Sequence, residues 1–149
     1  MEATQFLKRE HETAKGAFKK IEEATPPQRG QLWKQLKPEL KVHEQIEEAH
    51  FYGPISRDAR DPQLRDWSRH HHEEVAQAEA MIEEISGLEP TDDAWLAKVK
   101  ELKQTLEHHI QEEEQQIFPK AREVWDQSKL EQAGREMETG KQERLRQAA

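Results

Sequence analysis

Apolar positions along this chain recur every three or four residues, the period of a helix buried on one side. Leu7, Ala14, Phe18 and Ile21 form such a stripe, with His11 near its edge, and predict a helix from about Thr4 to Ala24. Thr25-Pro26-Pro27 ends it, because proline cannot continue a helix and restricts the residue before it. Leu32, Leu36, Leu40, His43, Glu47 and His50 share one face of a second helix, from Pro27 or Gly30 to Tyr52. A kink or break is expected in it at Pro38, and a stop at Gly53-Pro54. Residues 53 to 62, rich in Gly, Pro and Asp, read as a connector. Leu64, Trp67, Val75, Ala78, Ile82 and Ile85 define a third helix from Pro62 to Ser86, closed by Gly87-Leu88-Glu89-Pro90. Thr91-Asp92-Asp93 caps a fourth, running on Trp95, Val99, Leu102, Leu106, Ile110 and Ile117, with Pro119 as its end or kink. From Arg122 onward Val124, Trp125, Leu130, Met137 and Leu145 lie on a polar background and predict a last helix, packed on the others at its start and fraying toward Ala149. No stretch alternates with period two. The expectation is an all-α protein, an antiparallel four-helix bundle over residues 1–122 with a polar C-terminal helix over 123–149.

The halves of the bundle repeat. His43-Glu44-Gln45-Ile46-Glu47-Glu48 and Phe51-Tyr52 align at an offset of 66 with His109 to Glu114 and Ile117-Phe118. Ile21-Glu22-Glu23 aligns at an offset of 61 with Ile82-Glu83-Glu84, which sets His11 opposite His72. Each half therefore offers one histidine from its first helix and a His-x-x-x-Glu pair from its second. Residues i and i+4 of a helix share a face about one turn apart, so each pair converges on one point.

Composition narrows the chemistry. Only 33% of residues are apolar while 36% are charged, the balance of slender amphipathic helices rather than of a thick core. No apolar run approaches the ~20 residues of a membrane span, and Met-Glu-Ala-Thr-Gln lacks the apolar segment of a signal peptide. A cytoplasmic chain that does not engage membranes is expected. The net charge of −8 argues against nucleic acid, whose binding needs a basic stripe. With no cysteine, a metal must sit on imidazole and carboxylate, which suits iron, manganese or zinc and excludes iron–sulfur clusters.

The candidate ligands are His11, His43, Glu47, His72, His109 and Glu113. Two bridging carboxylates and four terminal imidazoles inside a bundle hold two divalent ions. In a chain with 31 acidic residues one His-x-x-x-Glu pair arises readily by chance, leaving a metal-free bundle of solvated histidines as the alternative. Two pairs in matching register, with a histidine on both partner helices, favour the metal site. At about 100° per residue, His108 falls away from the apolar stripe and His109 on it, with Glu113 near its centre and Glu112 and Glu114 as solvated neighbours. On the third helix the repeat favours His72, whereas His71 lies nearer the middle of the stripe and stays a competitor. His70 is off the stripe with Glu74 one turn on. His50 reads as a buried, hydrogen-bonded histidine, with an additional ligand as its other role, and Glu44 as a solvent-facing residue.

The sequence resembles the hemerythrin-like family, the HHE cation-binding domain, over about residues 4 to 125. The resemblance rests on Leu7 to His11, His43-x-x-x-Glu47-Glu48 with Phe51-Tyr52, His71-His72-Glu73-Glu74-Val75, and His109-x-x-x-Glu113-Glu114 with Phe118-Pro119. It implies a four-helix bundle around two non-haem irons bridged by two carboxylates and an oxo or hydroxo group, with manganese or zinc as substitutes. The implied ligand is O2, peroxide or nitric oxide. The sequence departs from the oxygen carriers on the third helix, where position +4 is Ala76 after His72 or Val75 after His71 rather than a histidine. The fourth helix carries a glutamate at +4 rather than the carriers' aspartate at +5. One terminal imidazole is absent, which implies a reactive or sensing centre in place of reversible carriage. A peroxide-disproportionating enzyme and a metal-free helical interaction module are the alternatives.

Overall fold

A computed structural model describes residues 1–148, and among these the chain is helical with no strand. The helices are α1 (Ala3–Glu23), α2 (Pro26–Glu47), α3 (Gly53–Ala59), α4 (Pro62–Ser86), α5 (Asp93–Glu112), α6 (Phe118–Val124) and α7 (Gln127–Ala148). Helix α1 packs against α2 and α5, and α4 against α5 and α2, which closes a four-membered ring. Short connections between consecutive helices make the bundle antiparallel. Helix α2 runs unbroken through Pro38, so the expected break there does not occur.

The two proline stops are corrected in the same way. At Gly53-Pro54 and at Pro119 the chain stays helical by inserting a π-turn, Glu48–Tyr52 and Glu113–Ile117, and continues as α3 and α6. The Gly53 N–H bonds the carbonyl of Glu48 and the Phe118 N–H that of Glu113, each five residues back. A proline cannot donate to the ladder and its ring crowds the carbonyl four residues before it; one extra residue in the turn relieves both. Residues 53–59, expected as connector, are therefore helix, and α3 ends where Arg60 takes a left-handed conformation (φ 52°).

Helix α7 lies along α1 and α2. It buries Leu130, Ala133 and Met137 against Ala3, Leu7 and Val42, and Lys141 reaches Glu10 at 2.8 Å. Gly134 is required there: a Cβ would run into the backbone of Met1 and Glu2. The fraying expected at Ala149 lies outside the described residues; α7 is helical to Ala148.

The core falls into two apolar clusters. One gathers Leu7, Ile46, Phe51, Tyr52, Ile117, Phe118 and Trp125; the other gathers Phe18, Ile21, Trp33, Leu36, Ile82, Trp95 and Leu102. On every helix of the ring a histidine or glutamate sits between the two, so a polar slab crosses an otherwise apolar bundle. No helix among the described residues is long and apolar enough to cross a membrane.

Candidate metal centre

Five of the six expected ligands meet in that slab. Glu47 and Glu113 are fully buried near the bundle axis. His43 Nε2 lies 3.0 Å from Glu47 Oε2, and His109 Nε2 lies 3.3 Å from Glu113 Oε2 and 3.7 Å from Glu47 Oε1. His11 Nε2 approaches Glu113 Oε1 at 3.1 Å. Both i,i+4 pairs form as the spacing predicts, and each carboxylate also meets imidazoles from the opposite half.

The histidine that α4 turns into the slab is His71, not the expected His72. His71 is buried with Nε2 3.5 Å from Glu47 Oε1, whereas His72 is more than half exposed and pairs with Glu48 on the surface at 3.2 Å. The inward face of α4 runs Leu64, Ser68, His71, Val75, Ala78, Ile82 and Ile85, alternating steps of four and three. His72 is one residue, about 100°, off that seam. The repeat pointed to His72 because the histidines of the first helices are 60 residues apart while the sequence match beside them is 61 apart.

These donors form two overlapping groups: His11, His43, Glu47 and Glu113, and His71, His109, Glu47 and Glu113. In each, one ligand atom per residue lies within 4.8 Å of every other, and both groups share the two carboxylates. Tyr52, which the first π-turn carries inward, donates its O–H to Glu113 Oε2 at 2.6 Å and stacks on the His71 ring with centroids 4.0 Å apart. The sequence had marked Tyr52 only as half of an aromatic pair.

Two further carboxylates aim the rings. Glu114 Oε2 takes the Nδ1 side of His11 at 2.8 Å, and Glu74 Oε2 lies 3.2 Å from His109 Nδ1, leaving both Nε2 atoms directed at Glu113. Such outer contacts fix tautomer and orientation of a ligating imidazole. Glu114 was expected in solvent; the π-turn after Glu112 rotates it beneath His11. Glu44 was likewise expected outside but is half-buried at the rim of the central cavity. His50 faces α7, with Nδ1 3.6 Å from Glu136, and takes no part in the centre.

The electrostatics of the slab are those of charges held out of water. Burial alone would lower His43, but Glu47, with Glu113 and Glu10 behind it, outweighs burial and raises it to about 9. His109 is likewise raised well above the ordinary value, its burial outweighed by Glu113, Glu47 and Glu74. His71 is lowered, because burial exceeds the pull of Glu47 and Glu113. Burial would raise Glu47, yet His43, His109 and His71 hold it well below the usual range. Glu113 is lowered by His109 and His11 against both burial and the charge of Glu47. Tyr52 is raised well above 10 by burial and by the adjoining carboxylates.

The donor set fits a cation. His11 Nε2, both oxygens of Glu47, both nitrogens of His71, His109 Nδ1 and Glu113 Oε1 are buried without a hydrogen-bond partner. Buried polar atoms are nearly always satisfied, and each one left bare costs ~1–3 kcal/mol. His109 Nδ1 turns to Glu74; the others belong to residues gathered around the two shared carboxylates, a donor set that a bound cation would satisfy. Beside them opens a cavity of about 80 Å³, walled by Phe18, Leu40, Val75, Ala78, Leu106 and Ile110 and rimmed by Glu10, Glu39, Glu44 and Lys103.

A four-helix bundle with histidines and glutamates turned inward onto shared carboxylates defines a class of cation-binding helical proteins. Residues 2–121 match the family described as Hemerythrin HHE cation binding domain, and the chain belongs to that family. Among solved structures it is similar to a Hemerythrin HHE cation binding domain-containing protein from Mycobacterium kansasii. The identity is 26% and the TM-score 0.81, over 97% of this chain and 87% of that one. Comparison with curated proteins gave no match. The match in fold extends past the bundle: 97% coverage includes most of α7.

Proposed function

We propose that the slab holds two iron ions bridged by Glu47 and Glu113, and that the protein binds or senses O2 or handles peroxide or nitric oxide there. The observation that carries this reading is the pair of overlapping four-donor groups that share both carboxylates and leave several of their buried N and O atoms without a hydrogen-bond partner. His11 and His43 would hold one ion, His71 and His109 the other; manganese or zinc fits the same donors. When bound, the ions supply redox chemistry and a positively charged position for a small ligand.

The chain's own residues prepare that position. Glu114 and Glu74 keep His11 and His109 turned inward. The apolar wall of the cavity admits a small neutral molecule and keeps bulk water from competing for it. The Tyr52 hydroxyl, already donating to Glu113, keeps its proton through the physiological range because burial and the carboxylates disfavour the phenolate. It therefore presents a proton beside the shared carboxylate. Only one histidine of α4 turns inward, with Tyr52 stacked against it, and this favours turnover of peroxide by disproportionation as the second reading.

The test is iron-supplied expression with elemental analysis and an absorption spectrum. The reading expects about two irons per chain, one for each histidine pair, with near-ultraviolet charge-transfer absorption. Protein purified in air without bound metal would overturn it. Peroxide consumption no faster than that of free iron would rule out the disproportionation reading alone.

A further inference from the structure

We propose that His70, Glu74 and Glu112 form a surface loading site for a divalent cation, and that Glu74 hands the ion to the buried centre. The proposal rests on the reading of that centre as a metal site and adds the route by which it fills.

The three side chains bring one ligand atom each within 4.8 Å of the others. His70 and Glu74 are one turn apart on α4, with His70 Nε2 3.2 Å from Glu74 Oε1, and Glu112 comes from the facing α5. His70 is about half exposed while Glu74 and Glu112 are partly buried, so the group opens to solvent on one side only. Acidic groups beside an exposed histidine are common in so acidic a chain. What sets this cluster apart is the second oxygen of Glu74. Its Oε1 belongs to the surface cluster, while its Oε2 lies 3.2 Å from His109 Nδ1, on the ring whose Nε2 faces both central carboxylates. Glu74 also lines the central cavity. One carboxylate thus touches the outer cluster with one oxygen and the inner shell with the other.

The physical need is plain. Four packed helices close over Glu47 and Glu113, so a hydrated cation must shed water before reaching them. A carboxylate that exchanges one oxygen contact for another offers a stepwise path, and an acidic, partly buried mouth concentrates cations ahead of it. Nothing is oxidised or reduced in this transfer; water ligands are exchanged for protein oxygens and nitrogens, then the ion moves inward.

Two measurements decide the proposal, using Co2+ as a coloured cation added to the metal-free full chain. In the first, the rate and end point of uptake at the buried centre are compared between the unaltered chain and the His70→Ala/Glu112→Gln double variant. The expected result is filling slowed by roughly tenfold or more with the same final stoichiometry and spectrum. An unchanged rate overturns the proposal, as does a lower end point at unchanged rate. In the second, Glu47→Gln and Glu113→Gln are combined to disable the buried centre, with folding checked by circular dichroism. That chain should still bind one weakly held Co2+, lost on adding His70→Ala; no such binding overturns the proposal. If the glutamine chain does not fold, the rate comparison decides by itself. If the unaltered chain takes up no cobalt at the buried centre, the reading of the centre fails, and the weak outer equivalent, present or absent in that same chain, decides the outer site separately.

Discussion

His43 and His71 lean on opposite oxygens of the same glutamate, yet their affinities for a proton are pushed in opposite directions. His43 lies 3.0 Å from Glu47, remains about one-fifth exposed, and is raised to about 9. His71 lies 3.5 Å from the same carboxylate, is almost wholly buried under Tyr52, and is lowered. At His71 burial, with the neighbouring His109 imidazole, outweighs the pull of Glu47 and Glu113, whereas at His43 burial is outweighed by the charge and hydrogen bond of Glu47. The contrast extends to the halves themselves. The α1–α2 half is covered by α7, whereas the α4–α5 half faces outward and carries His70 and Glu112. The two halves thus present different surroundings to a centre they share: α7 packs on one, while the other carries a second His/Glu cluster at its surface.

The largest expected effect removes what is shared. Glu47→Ala or Glu113→Ala takes a carboxylate from both donor groups, so elemental analysis should find both ions lost rather than one. Retention of a full complement by either variant would break the picture of a joint centre.

Removing one side comes next. His71→Ala should cost one of the two ions and leave the other, while His72→Ala on the neighbouring position should leave both. Equal losses from the two variants would put the seam of α4 in the wrong place.

The contrast in charge gives a pH test on metal-free protein in chelator. His43 has a folded value above its unfolded 6.5, so its contribution to stability is complete below pH 6.5 and is lost as pH rises through about 9. The shift caps that contribution at about 3 kcal/mol. His71 is lowered, so its contribution is present above pH 6.5 and is lost on acidification below it. Denaturation curves of His43→Gln and His71→Gln against the unaltered chain should therefore diverge in opposite directions with pH. Parallel profiles would contradict the assignment.

The smallest effects concern the packing of α7 on the α1–α2 half. Gly134→Ala pushes a Cβ into the backbone of Met1 and Glu2, which cannot yield without moving the start of α1; a loss of ~1–3 kcal/mol is expected. Gly140→Ala meets only the ends of Arg144 and His50, 2.8 and 3.1 Å away, which swing aside. Its effect should stay within ~0.5 kcal/mol. Thermal melts of the two variants distinguish a docked α7 from a loosely attached one.

Periodicity and punctuation alone determined the helices of the ring, their order, and the two His-x-x-x-Glu pairs, because i,i+4 geometry is local and needs no partner. That is why His43, Glu47, His109 and Glu113 converge where their spacing says. Choices between adjacent residues of a helix were decided only by packing. His71 displaces His72 because the seam of α4 is set by the helices it faces, not by the register of the repeat. Proline was legible as a disruption but not as a π-turn, since its missing donor and crowding ring are met equally by ending the helix or by widening one turn. The two π-turns bring in Tyr52 and Glu114, which the repeat contains but whose inward roles it does not reveal. Glu74, read as the partner of His70, proves to be the partner of His109 as well, across a helix interface that the sequence does not contain.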